Sequence, residues 1–210
     1  ALESNSCWTN HTFHEEIIAR RIIQRNWYFS CFRAGIHIER NDLSWWLEMF
    51  IPFDFSARYT TDSTISRGGS EWDWRNCSDR WGGWHPDWYD YRKEGDMKRW
   101  QFRITDLWTY LNILNHTEVE EAFNQAELFG DSVLTYFNHD YRDMCFETEE
   151  GYKVIKDVAK KHPNVEWKFV TALEAAQYHL GLNPQAPKLS YELKGSILSV
   201  TSDIKIFGPQ

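Results

Sequence analysis

The sequence predicts an α/β fold built on a mostly parallel sheet, followed by a short β extension. Over the first four-fifths of the chain, apolar spacing alternates between the helical and the strand period. Capping residues and glycines punctuate the helical stretches. A linker composition, Asn183-Pro184-Gln185-Ala186-Pro187, then separates two further strand-like runs from the rest. Strands that alternate with helices are joined by crossovers, and crossovers make neighbouring strands parallel. The expected organisation is an α/β domain over 1–182 and a linker with a β-hairpin over 183–210.

Taken in order, Glu15 to Arg25 reads as a helix, with Ile18 and Ile22 one turn apart facing inward and Glu16 and Arg20 able to pair at i, i+4. Trp27 to Phe32 reads as an aromatic strand. Asn41 or Asp42 can cap a helix carrying Leu43, Trp46 and Leu47, and Ile51 to Phe55 reads as a buried strand. Ala57 to Arg99 is dense in Trp, Tyr, Asp and Gly, and is expected to be a loop covering a site. Helices are expected from Thr105 to Leu114 and from a Thr117, Glu120 capping box to Gly130, with a strand over Ser132 to Phe137. A helix over Glu149 to Lys161 stops before Pro163, and Val165 to Val170 reads as a strand. Thr171 and Glu174 cap a last helix that ends at Gly181. Beyond the linker, Leu189 to Leu193 and Ile197 to Phe207 form a hairpin joined at Lys194-Gly195-Ser196.

The 210 residues carry 23 Lys and Arg against 31 Asp and Glu, a formal charge of −8, with no cationic run longer than two residues. That balance gives no electrostatic footprint for nucleic acid or an anionic membrane surface. No stretch approaches a spanning helix and no signal-peptide pattern opens the chain, so a cytoplasmic location is expected. Cys7, Cys31, Cys77 and Cys145 form no Cys-x-x-Cys pair and are expected to be free thiols. The Asn-x-Ser/Thr triplets at Asn10, Asn76 and Asn115 are expected to be incidental.

Three short segments carry chemistry. His11-Thr12-Phe13-His14 places two imidazoles just before the first expected helix, where they can hold a metal. Phe32-Arg33-Ala34-Gly35 places an arginine after a strand, where it can orient a carboxylate. Phe137-Asn138-His139-Asp140 places a histidine at a strand end, where it can move protons. Tryptophans in the long loop, with His85, offer flat apolar faces to a sugar ring. Trp27 and Trp46 are expected in the core. His37, His116, His162 and His179 are expected at the surface or at helix ends, and Arg142 and Asp143 as a local ion pair.

In order and residue type, these segments resemble the NodB-homology polysaccharide deacetylases, a carbohydrate esterase family. Phe53-Asp54-Phe55-Ser56 and His139-Asp140-Tyr141-Arg142-Asp143-Met144 resemble the WbmS-like branch found in O-antigen loci. The resemblance spans roughly Thr9 to Leu180. It implies an irregular NodB-type β/α barrel and a metal-dependent polysaccharide N-deacetylase acting on an acetamido sugar of a surface glycan. Carried over by position, His11 and His14 would hold a divalent metal, usually Zn2+, Arg33 would orient the catalytic carboxylate and His139 would be the general acid. Trp74, Trp84, Trp88 and His85 are the expected carbohydrate contacts, and the family's Asp-near-Trp motif has matches at both Asp73-Trp74 and Asp87-Trp88.

The chain departs from the pattern in three places. Nothing in Ala1 to Asn10 matches the family's first acidic motif, so the chain is expected to be cut at both ends. The histidine pair is spaced i, i+3 rather than i, i+4, and Arg33-Ala34-Gly35 lacks the family's proline. A non-catalytic carbohydrate-binding relative is therefore the alternative. A hydrolase using paired carboxylates, drawn from Asp73, Asp87 and Asp90, would need two acids facing each other.

Overall fold

The computed structural model describes residues 7–37, 39–58, 74, 77–107, 116–183, 185–205 and 207, and side chains within them from residue 12 onward except at position 36. In chain order these form α1 (Cys7–Arg25), β1 (Cys31–Phe32), a 3-10 turn (Gly35–His37), α2 (Asn41–Phe50), β2 (Phe53–Ala57), β3 (Gly83–Trp84), β4 (Trp100–Arg103), β5 (Thr105–Asp106), α3 (His116–Phe129), β6 (Tyr136–Phe137), α4 (Met144–Ala159), α5 (Ala172–His179), β7 (Leu189–Lys194) and β8 (Ile197–Ser202).

The mixed α/β class holds. A four-stranded sheet runs β1-β2-β4-β3, parallel except for β3 against β4, and β5 pairs in parallel with β6. Only Ile104 separates β4 from β5, and its amide bonds Ala57 O at 2.8 Å, so one extended run feeds both sheets. The parallel strands β1, β2, β5 and β6 consequently point their C-terminal ends to one edge. The described strands form open sheets, and none of those sheets closes into a barrel.

Packing follows the strand alternation. Phe53 and Phe55 face α5, stacking with Phe102 over Val133 and Ala176. Asp54 and Ser56 point to the opposite face and are equally buried. A second cluster, Val119, Phe123, Ile155 and Val158, joins α3 to α4, and a third, Ile18, Trp46, Leu47 and Ile51, joins α1 to α2. His179 at the end of α5 pairs with Asp131 at 2.5 Å and accepts from Gly83 N at 3.1 Å, tying that helix to β3. The terminal hairpin pairs in register from Leu189↔Ser202 to Lys194↔Ile197, with Gly195 at φ +62° opening its tight turn.

Beneath the strand ends lies a buried ionic network. The guanidinium of Arg99, fully enclosed, donates to Asp54 Oδ2 at 2.7 Å, Glu39 Oε1 at 2.6 Å and Ser44 Oγ at 2.5 Å. Glu48 accepts from the amides of Lys98 and Arg99 at 2.7 and 2.9 Å. Burial, with help from neighbouring Asp54 and against the pull of Arg99, raises the Glu39 carboxyl well above its ordinary range. One cation thus joins α2, β2, the segment after the 3-10 turn and the approach to β4.

Several elements differ from expectation. α1 starts at or before Cys7, so His11 and His14 lie inside a helix rather than on a turn before it, and Ile22 is exposed where Ile18 is buried. The strand expected from Trp27 shrinks to Cys31–Phe32, and Trp27 is exposed, not core. Arg40 occupies the N-cap of α2 with no side-chain cap bond, in place of Asn41 or Asp42. Thr105 and Asp106 are strand, not the start of a helix, because their ladder with Tyr136 and Phe137 wins; the remainder of that helix, 108–114, lies outside the described residues. α4 begins at Met144, earlier than expected, with Asp143 Oδ1 accepting from Phe146 N, and Val165 to Val170 forms no ladder. Thr171 and Glu174 do form the expected capping box. The expected loop over Ala57 to Arg99 contains β3 and an antiparallel bridge between Pro86 and Glu94. The thiols of Cys31 and Cys145 are free.

Removing one partner of a fully buried ion pair strands the others, at a cost of about 3–5 kcal/mol. Arg99→Met is expected to lower unfolding free energy by about that amount in urea titration, because Asp54 and Glu39 lose their common cation. An unchanged denaturation midpoint would show that the network contributes nothing to stability.

Candidate functional site at the C-terminal edge of the parallel strands

Each parallel strand delivers a polar side chain to the same edge. Arg33 follows β1, Arg58 follows β2, Asp106 ends β5 and His139 lies two residues past β6. This is the edge at which open α/β sheets place their ligands. The ring of Phe137 forms its centre, with the guanidinium carbons of Arg33 and Arg58 at 4.9 and 5.3 Å and the His37 ring at 4.6 Å from its centroid.

Asp106 is clamped from two sides, by Arg58 Nη1 at 3.2 Å and Arg142 Nη2 at 2.9 Å, and is nearly fully enclosed. Arg142 also lies 3.7 Å from Glu147. A carboxylate held by two arginines is an anchor, and its lone pairs are committed to them. Arg142 therefore bonds across the site rather than to Asp143, which caps α4 instead. Arg33 differs from its two neighbours. Its one hydrogen bond goes to Ala34 O at 3.2 Å and it forms no ion pair among the described residues, while burial draws it below its ordinary pKa against the opposing pull of Asp106.

His139 stacks on Tyr141 at 4.9 Å and stands edge-on to Phe137 at 5.5 Å. Partial burial, then Arg142 and Arg33, lowers its pKa, with Asp106 and Asp140 pulling the other way. Its resting imidazole is thus neutral at pH 7 and able to take a proton.

Sequence reasoning missed His37, which is buried rather than at the surface. Its Nδ1 meets Ser56 O at 3.3 Å. The ladder between β2 and β4 slips by one residue between Asp54 and Ala57, a bulge, and Ser56 falls inside it. A bulge frees a carbonyl from the ladder and re-aims it. The same Ser56 ties the site to the ionic network: its hydroxyl donates to Asp54 Oδ1 at 2.5 Å and accepts from Ala34 N at 2.8 Å. The only sequence signals for this were two polar residues alternating with two phenylalanines in Phe53-Asp54-Phe55-Ser56, and a histidine two residues past a glycine.

The other expected site residues lie elsewhere. Trp74 and Trp84 are 0% and 2% exposed, packed with Ala57 and Cys77, so neither offers a ring face to a sugar. Trp74 instead donates its indole hydrogen to His37 O at 2.8 Å. β3 runs antiparallel to β4, so the residues after Trp84 reach the N-terminal edge of the sheet, opposite His139. There His85 Nδ1 meets Arg99 O at 3.0 Å and its ring packs on Trp100, while Trp88 is half-exposed beside Trp45. The expectation that His85 and Trp88 share a cleft with His139 is corrected by this antiparallel pairing. His162 is buried against Phe123 and Glu127. A cavity of about 1190 Å³ runs between 131–136, 164–170, α3 and α5, and its lining contains none of the strand-edge cluster.

For a metal, His14 offers a buried Nδ1 with no hydrogen-bond partner among the described residues, its ring 5.3 Å from that of Trp46. The side chain of His11 lies outside the described residues. Among the described residues no three His, Cys, Asp or Glu side chains converge on one point. The described residues supply one donor to such a centre, and no step below runs through a metal.

Burial, then Arg58 and Arg33, lowers the His37 pKa to about 3. An unfolded histidine binds its proton near pH 6.5, so between there and pH 3 the unfolded state holds one more proton than the native one. Stability is full above about pH 6.5 and falls with decreasing pH, by roughly 1.4 kcal/mol per unit from this residue alone. His37→Asn is expected to remove one proton from that acid slope in urea titrations over this range. An identical slope would mean that His37 titrates normally.

Set against family models, curated proteins and solved structures, the chain matches none of them, and the functional reading rests on its own residues.

Proposed function

We propose that this chain is a carbohydrate N-deacetylase, hydrolysing the amide of an acetamido sugar in a surface glycan at the C-terminal edge of its parallel strands. The observation that carries the proposal is the convergence there of Arg33, Arg58, Asp106 and His139 from the ends of the parallel strands β1, β2, β5 and β6. The resemblance of the three motifs supplies the substrate class.

His139, neutral at rest, accepts the proton of the attacking water and returns it to the departing amine. The C–O bond forms first, giving a tetrahedral oxyanion, and its collapse breaks the C–N bond as the amine takes the proton, giving acetate and a free amino sugar. Arg33 places a positive charge where the tetrahedral oxyanion develops or where a catalytic carboxylate must be oriented. Asp106 holds Arg58 and Arg142 in place. A zinc ion on His11 and His14 is a separable part of the proposal; elemental analysis of the purified chain tests it, with near-stoichiometric metal, lost in His11→Ala, as the supporting result.

One observation favours the alternative, a carbohydrate-binding relative without hydrolysis. The enclosed carboxylate at this edge, Asp106, is bound by two arginines and is poorly placed to act as a base. Acetate release decides between the two readings. With N-acetylated amino-sugar oligomers, His139→Ala is expected to lower turnover by about 10²- to 10⁴-fold with unchanged metal content and fold. Turnover equal to that of the unmodified chain would remove His139 from the chemistry.

The pH profile carries the sign of its lowered pKa. The rate should rise with pH through an apparent pKa below the ordinary histidine value of about 6.5 and be level by neutrality. An acid limb at or above 6.5 would contradict the neutral-base role.

A further inference from the structure

The turn that follows β1 carries a histidine that the reaction above does not use. His37 has φ +55°, a left-handed backbone that a side-chain-bearing residue keeps only where its surroundings hold it. Three bonds do so here. Its amide donates to Ala34 O at 3.0 Å, its carbonyl accepts from Trp74 Nε1 at 2.8 Å, and its Nδ1 meets Ser56 O at 3.3 Å.

The last contact fixes the tautomer. A carbonyl oxygen only accepts, so Nδ1 carries the hydrogen and Nε2 is left with a bare lone pair. That nitrogen is buried and has no hydrogen-bond partner among the described residues, on a side chain 3% exposed. Buried polar atoms are nearly always matched, and an unmatched acceptor is a standing cost to the fold. The ring lies on Phe137, the same aromatic face approached by Arg33 and Arg58. The ring that carries the unmatched acceptor therefore packs on the aromatic centre of the strand-edge site, where Arg58, Arg33 and His139 all act on its charge.

We propose that His37 Nε2 accepts a hydrogen bond from a sugar hydroxyl of the bound substrate, making His37 a specificity-determining residue of this site. The proposal rests on the carbohydrate reading above. It also gives that reading a selection rule: with its tautomer locked, the nitrogen accepts and never donates, so it favours a hydroxyl and disfavours a carbonyl or carboxylate at the same position. Because its proton affinity is so depressed, the acceptor survives across the neutral and mildly acidic range.

The test is a side-chain ¹⁵N spectrum of the whole chain, titrated with a panel of N-acetylated glucosamine and galactosamine oligomers. In the free protein His37 should show the neutral Nδ1–H tautomer. On binding, its Nε2 resonance should move upfield, the direction of an accepted hydrogen bond. His37→Phe should weaken binding at least about tenfold. His37→Asn, which tolerates the left-handed backbone and keeps an acceptor, should recover part of the loss with a native circular dichroism spectrum. Sugar that shifts His139 but leaves His37 Nε2 in place would overturn the acceptor role and leave the carbohydrate reading standing. A panel that shifts neither histidine would overturn both.

Discussion

The enclosed guanidinium of Arg99 is the contact on which the rest of this molecule depends. It bonds Asp54 on β2, Glu39 after the first turn and Ser44 on α2, while its own amide is held by Glu48. Burying so many ionisable groups is costly, and it is tolerated only where each is hydrogen-bonded to another. An apolar substitute would fill the same volume more cheaply. What the network supplies instead is register, since one cation with fixed donors admits a single arrangement of strand, helix and loop around it.

That register is passed directly to the site. Asp54 receives the Ser56 hydroxyl, Ser56 receives the Ala34 amide, and the Ser56 carbonyl receives His37. Three bonds thus connect a fully buried ion pair to the turn that carries Arg33 and His37. The bulge in β2 makes this possible, because it releases Ser56 from the ladder at the point where the strand meets the edge. A second clamp, Asp106 between Arg58 and Arg142, closes the same edge from the side of β5. Between the two clamps, His139 and His37 are neutral imidazoles with different tasks in the proposed reaction, the first exchanging protons and the second holding one hydrogen bond.

Legibility in the sequence divided along physical lines. Features set by local chemistry were read correctly: the capping box of Thr171 and Glu174, the Glu16–Arg20 pair and the hairpin turn at Gly195. Features set by partners distant in sequence were not. Thr105 and Asp106 have a good helix-start pattern, yet β6 claims them for a ladder. Trp74 and Trp84 looked like sugar platforms because they sit in an aromatic stretch, but tertiary packing turned them inward. His37 looked like a surface residue, and only the fold reveals the carbonyl and the indole that hold it. Of the candidate site, His139 and Arg33 were visible at strand ends, whereas Arg58, Asp106 and Arg142 became visible only when four strands brought them together.

The measurement that tests the account most directly is a map of backbone hydrogen exchange with and without a bound N-acetylated amino-sugar oligomer. Binding at the C-terminal strand edge should slow exchange over 31–37, 53–58 and 136–142 and leave 85–95 unchanged. Protection confined to 85–95, around Trp88 at the opposite edge of the sheet, would place the sugar away from His139 and contradict the site described here.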